Sequence, residues 1–275
     1  MNKKSYSRSH FENNGGIPLK CKRSQITIFV IIALLIVISI GLIIYANPGK
    51  IAQSVSVQNN PHGFIQGCAR DAANDAVEQI IPNGGILNPA VEKYIEWQEV
   101  KPIWMCYTAN KEQICTNLHP MLRAEIEKQI YDLIKPKIDS CFSQLKNEFE
   151  SYDYTEEDTN LELEIAPSKI YIKLSKKISY IKNGIANNLE NFNTQISSPL
   201  YDFVIISNDI VNQEVNCDCR KDNCNADIIG INRDKREYET TRDIDGYNNK
   251  IYSIKEVASG DEFNFAVRNC VRLPY

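Results

Sequence analysis

One stretch constrains everything else in this chain of 275 residues: Gln25 to Ala46, QITIFVIIALLIVISIGLIIYA. It carries no charge, and after Gln25 only Thr27, Ser39 and Gly41 interrupt its apolar run. About 20 apolar residues at ~1.5 Å rise each match the hydrocarbon thickness of a bilayer. A helix there bonds its own backbone and takes up a hydroxyl on its own carbonyls. The stretch therefore predicts a transmembrane helix over 25–46. It is too long for a removable secretory signal, whose apolar core runs to about 7–15 residues.

Charge sets the direction of the span. Lys3, Lys4, Arg8, Lys20, Lys22 and Arg23 precede it against Glu12 alone, and the other acidic side chains all follow it. A basic flank before the span predicts a cytoplasmic N-terminus and an extracellular C-terminal domain, with the cell membrane as location and membrane lipid as first partner. The acidic bulk argues against nucleic acid, because phosphate binding needs a basic patch.

The cysteines point to the same side. Of nine, only Cys21 precedes the span. The other eight form an even set beyond it, as a disulfide framework in an oxidising space requires. Cys106 and Cys115 flank a polar stretch and suit a closed hairpin. Cys68 and Cys141 fall on the apolar faces of two helical segments and are expected to join them. Cys217, Cys219, Cys224 and Cys270 read as two disulfides, one of Cys217 and Cys219 reaching Cys270 and the other Cys224. The alternative is a zinc site, but paired zinc cysteines favour two or more intervening residues, and Cys217-Asp218-Cys219 has one.

The remaining segments predict one α+β domain. Residues 1–24 are a polar basic tail, and 47–63 a juxtamembrane linker with Pro48, Gly49, Pro61 and Gly63. A lone His62 in such a linker is expected to be solvated. The extracytoplasmic domain covers 64–275. Apolar spacing of three to four predicts a helix over 64–81, stopped by Pro82-Asn83-Gly84-Gly85. A longer helix follows over 120–149, with Leu122, Ile126, Ile130, Leu133, Ile138, Phe142 and Leu145 as its stripe. Pro136 is expected to kink or split it. Period-two alternation over 161–182 predicts a strand pair joined by Ala166-Pro167-Ser168-Lys169. A helical region is expected over 185–214, with a fresh start at Ser197-Ser198-Pro199. Short strands are expected at 228–231, 250–254 and 263–267.

Two resemblances add to this. Lys22-Arg23-Ser24-Gln25-Ile26-Thr27-Ile28-Phe29 resembles the archaeal type IV pilin-like signal, in which a peptidase would cut between Ser24 and Gln25 and leave the helix attached. That pattern usually places Glu at the fifth mature position, where this chain has Phe29. More broadly, KRSQITIFVIIALLIV, FIQGCARDAANDAVEQIIPNGGI, CTNLHPMLRAEIEKQIYDLIKPKIDSCF, ELEIAPSKIYIKL and EFNFAVRN resemble uncharacterised single-pass membrane proteins of small-genome archaea. The resemblance implies an archaeal surface location and no catalytic residue.

The chain has three histidines and no HExxH, GxSxG, Walker loop or GxGxxG. No cofactor or metal ligand set is expected. Glu156-Glu157 and Asp261-Glu262 lie in polar runs and read as solvated. The expected function is a membrane-anchored surface protein that binds, adheres or assembles, with other surface proteins or its own copies as partners. The alternative is an extracytoplasmic hydrolase whose carboxylates are brought together only by the fold.

Overall fold

The computed structural model describes residues 30–35, 57, 59–110, 113–219, 230–233 and 235–270. The chain divides into two units, Met1–Ser54 and Val55–Tyr275. In the first, residues 30–35 are helical and Val30, Ile31, Ile32, Leu34 and Leu35 are all exposed. The rest of 25–46, the tail with Cys21, and the Ser24-Gln25 junction lie outside the described residues. Among the described residues no helix is long and apolar enough to cross a membrane.

In the second unit, Asn60 starts the first helix. Its side-chain oxygen accepts from the Gly63 N–H at 2.9 Å, and Pro61 takes the opening position, where a missing N–H costs nothing. Helix α1 (Pro61–Ile80) thus begins three residues before its apolar spacing does. It ends where the glycines stop it. Gly84 and Gly85 adopt φ of 73° and 90°, and their N–H groups return to the Ile81 and Ile80 carbonyls.

Helix α2 (Leu122–Glu148) runs unbroken through Pro136. The expected split does not occur because Pro136 is exposed. Pro136 removes one backbone bond, to the Asp132 carbonyl, on a turn where Asp132 and Pro136 are both exposed, so water can serve that carbonyl. The stripe also shifts slightly: Ile134 is buried, while Leu133 is half-buried. Against it α1 sets Ala69, Ala72, Ala73 and Ala76, small enough for close approach. Cys68 and Cys141 stand at disulfide distance across this contact, with Cα atoms 6.5 Å apart. Lys137 Nζ meets Asp75 Oδ2 at 2.9 Å on its rim.

Twelve strands complete the domain among the described residues: β1 (Ile103–Tyr107), β2 (Thr116–Asn117), β3 (Asp153–Glu156), β4 (Asn160–Ala166), β5 (Lys169–Ser175), β6 (Ile178–Lys182), β7 (Ile185–Leu189), β8 (Thr194–Ser197), β9 (Ile231–Arg233), β10 (Arg236–Ile244), β11 (Lys250–Glu256) and β12 (Glu262–Arg268). Helix α3 (Leu200–Val215) lies between β8 and β9. The strands form a six-stranded sheet ordered β2-β1-β12-β11-β10-β9 and two three-stranded sheets, β3-β6-β7 and β4-β5-β8. Among the described residues only β1 and β12 pair in parallel; every other pairing is antiparallel.

The expected strand pair is β4–β5, closed by Pro167 and Ser168, the latter at φ 60°. The first half of the expected 185–214 helix is instead strand, β7 and β8. Asn183 and Gly184 explain the difference. Both take positive φ, 54° and 76°, and they close a two-residue hairpin between β6 and β7. Asn-Gly is the preferred dipeptide for such a turn. The second half is α3 as expected, with Ser198 Oγ accepting from the Leu200 N–H at 3.2 Å. Its Phe203 packs on Tyr238 and Phe263 of the large sheet, ring centroids 5.7 and 5.5 Å away.

Candidate functional site

A groove of about 660 Å³ lies over the open face of the large sheet. Its floor is Ser253 of β11 and Asn264 of β12, facing each other in register. Ser253 Oγ donates to Asn264 Oδ1 at 2.5 Å, and Asn264 Nδ2 donates to the Pro82 carbonyl at 3.2 Å. That second bond ties the floor to the end of α1. One wall is a tight turn in which Trp97 and Val100 exchange backbone hydrogen bonds at 3.1 and 3.0 Å around Gln98 and Glu99. The Lys101 N–H, donating to Asn83 Oδ1 at 2.8 Å, pins that turn to the same end of α1.

Five carboxylates line the groove: Glu78 from α1, Glu99 from the turn, Asp243 from β10, and Asp261 and Glu262 at the start of β12. Trp97 stands among them, Lys255 of β11 pairs opposite Glu262 at the rim, and among the described residues no Lys, Arg, His or Cys lines the groove itself. The fields of five like charges add, and low-dielectric walls focus them, so the groove favours a cation. An indole face adds a cation–π surface. The Ser253 hydroxyl is engaged by Asn264.

The buried charges have a different character. Asp202 and Glu214, both on α3, are fully buried. Asp202 accepts from the Tyr238 hydroxyl at 2.8 Å and from Arg233 Nε at 3.3 Å. Glu214 accepts from Lys250 Nζ at 2.7 and 2.9 Å, from the Tyr252 hydroxyl, and from Asn269 Nδ2 at 3.2 Å. Burial pushes the Tyr238 and Tyr252 phenols up, and the adjoining carboxylates push them further. Burial lowers Lys250, more than Glu214 raises it. Twelve residues of helix separate Asp202 from Glu214, about 18 Å at ~1.5 Å per residue. The two carboxyls of a glycosidase stand roughly 5–9.5 Å apart, so these two form no such pair. Each fixes α3 on the sheet.

The cysteines cluster as their positions along the chain suggest. Cys106 and Cys115 stand at disulfide distance, Cα atoms 5.4 Å apart, at the β1–β2 hairpin. Cys219 and Cys270 do the same at 5.2 Å. Cys217 Sγ lies 3.9 Å from Cys270 Sγ, and the Asn269 amide donates to it at 3.2 Å. Cys224 lies outside the described residues. Among the described residues no three His, Cys, Asp or Glu side chains gather as metal ligands.

His62 is not simply solvated. It stacks on Phe192 with centroids 5.0 Å apart, and its Nε2 lies 3.3 Å from the Asn191 carbonyl. His119 pairs with Glu125 at 2.5 Å beside the start of α2. His10 lies outside the described residues.

The groove escapes sequence reading because its carboxylates come from positions 78 to 262 and each sits in an ordinary polar run. Only Asp261 and Glu262 were noticeable as a pair, and they were expected to be solvated. The buried acids did leave a signal. Glu214 stands four residues after Ile210 and three after Val211, on the apolar face of its helix.

The chain matches no family model, no curated protein and no solved structure.

Proposed function

We propose that this chain is a single-pass protein of the archaeal cell surface, with its N-terminus inside and its α+β domain outside, and that the domain binds a positively charged ligand in the groove. The groove carries the binding part of this reading: five carboxylates from four separate segments converge beside Trp97 and outnumber Lys255, the cation that pairs opposite Glu262. The anchor is supported by residues 30–35, whose helix exposes apolar side chains all round. Such a helix is suited to lipid and not to water.

The test is equilibrium titration of the full-length protein in detergent micelles with spermidine and with a tetralysine peptide. Salt-sensitive binding that falls about tenfold in Asp243→Asn/Glu262→Gln supports the reading. Unchanged affinity in that variant, or no binding of either probe, overturns it. The topology is tested separately, by adding protease to intact cells. Removal of the domain supports the outside placement, and a protected domain with a cut tail reverses it.

A second reading, an extracytoplasmic hydrolase, is favoured by the same meeting of carboxylates and Trp97. Sugar rings pack on indole faces, and glycosidases use two carboxyl groups. Release of reducing ends from an oligosaccharide by the parent protein, and not by Asp243→Asn/Glu262→Gln, would establish it.

A further inference from the structure

We propose that β7 is a self-pairing edge, along which two copies of this chain join antiparallel and merge their β3-β6-β7 sheets into one of six strands. Among the described residues β7 ends its sheet, and no described strand stands beside one row of its backbone groups. The closing pair of a two-residue hairpin, Lys182 and Ile185, exchanges hydrogen bonds. Ile185, Asn187 and Leu189 therefore bond to β6, while Ala186 and Asn188 turn their N–H and C=O groups outward.

Other strand edges of the domain are guarded, as edges in native proteins usually are. β4 carries Glu162 and Glu164, and β3 carries Asp153 and Glu156. β9 ends in Arg233, β2 has two residues, and β8 lies against α1. β7 reads Ile-Ala-Asn-Asn-Leu, with no charge and no proline.

Its sequence complements itself. Place a two-fold axis at Asn187, and Ile185 of one copy meets Leu189 of the other, while Ala186 meets Asn188. Ile185 is 66 % exposed in the single chain, and this pairing covers it twice over by symmetry. Glu190 of each copy then falls opposite Gly184 of the other, past the end of the pairing. The contact is small beside the ~1,200 Å² of a stable interface. It is weak between freely diffusing copies and strong where tethering to one surface raises their effective concentration. That last point rests on the anchored reading; the self-pairing does not.

The test is cysteine cross-linking of the full-length chain, in membranes or in whichever fraction holds it. Asn187 sits on the axis as a non-hydrogen-bonded pair, with Cα atoms expected about 4.5 Å apart, within disulfide reach. Mild oxidation of Asn187→Cys should give a reductant-sensitive dimer that the parent chain does not form. Adding Ala186→Pro removes an outward N–H and should cut the dimer about tenfold. Adding Ile185→Lys, at an exposed site that leaves folding intact, should do the same by setting a charge against the apolar Leu189 of the other copy. No dimer from Asn187→Cys, or a dimer that survives both additions undiminished, overturns the proposal.

Discussion

Replacing Lys250 with Met should destabilise the domain by about 3 kcal/mol, and the structure says why it is not less. Lys250 and Glu214 are both buried, and the ammonium meets both carboxylate oxygens at 2.7 and 2.9 Å. Met fills a similar volume, so the cavity cost is small. The dominant cost is Glu214, left as a buried charge that has lost the ammonium bonded to both its oxygens. Breaking such a pair costs roughly 3–5 kcal/mol. Tyr252 and Asn269 still donate to the carboxylate, which puts the loss at the lower end. In a domain of this size about 3 kcal/mol lowers the Tm by roughly 6–12 °C. Circular dichroism of the full-length protein in micelles reads this shift directly. Adding Glu214→Gln should then recover most of the loss, because the amide carbonyl still accepts from Tyr252 while no charge stays buried. A Tm for Lys250→Met within about 2 °C of the parent, or a double variant less stable than the single one, would refute the reasoning.

Three further outcomes follow from other parts of the domain. The phenols of Tyr154, Tyr238 and Tyr252 are all pushed up by burial first and by a neighbouring carboxylate second. With folded values above unfolded ones, their contribution is complete below about pH 10 and is lost above it, at up to about 1.4 kcal/mol per pH unit for each buried phenol and less for half-buried Tyr154. Absorbance at the phenolate band should show these three ionising late and together with unfolding; early ionisation of all tyrosines in the folded protein would contradict this. Cys68→Ala should cost on the order of 4 kcal/mol, since the Cys68–Cys141 link closes 73 residues of sequence. Non-reduced peptide mapping should find that pair linked, and finding Cys68 joined to Cys106 or Cys115 would undo the α1–α2 packing. Gly85→Ala places a Cβ at φ 90° and against the buried Ile126 side chain, and should cost about 2–3 kcal/mol in urea unfolding; a change under about 0.5 kcal/mol would show that the turn relaxes freely.

What the chain alone determined is what local chemistry decides. The apolar stripes of α1 and α2 were legible because a helix repeats its buried face every three to four residues. The inward positions of Cys68 and Cys141 on those stripes predicted their meeting. The β4–β5 hairpin was legible from alternation and from Pro167, and the stop after α1 from two glycines. The tertiary structure decided the rest. Residues 185–197 have no strong period of their own, and pairing with β6 and β5 makes them strands. β10 reads as a charged run, and becomes a strand because Tyr238 and Thr240 find cover under α3 and the sheet. The groove is a property of the fold alone. Its carboxylates lie far apart along the chain, and the strand order of the large sheet together with α1 and the 97–100 turn brings them to one groove. Periodicity reports which side of an element is buried, but which distant elements become neighbours depends on long-range packing that no short window of sequence contains.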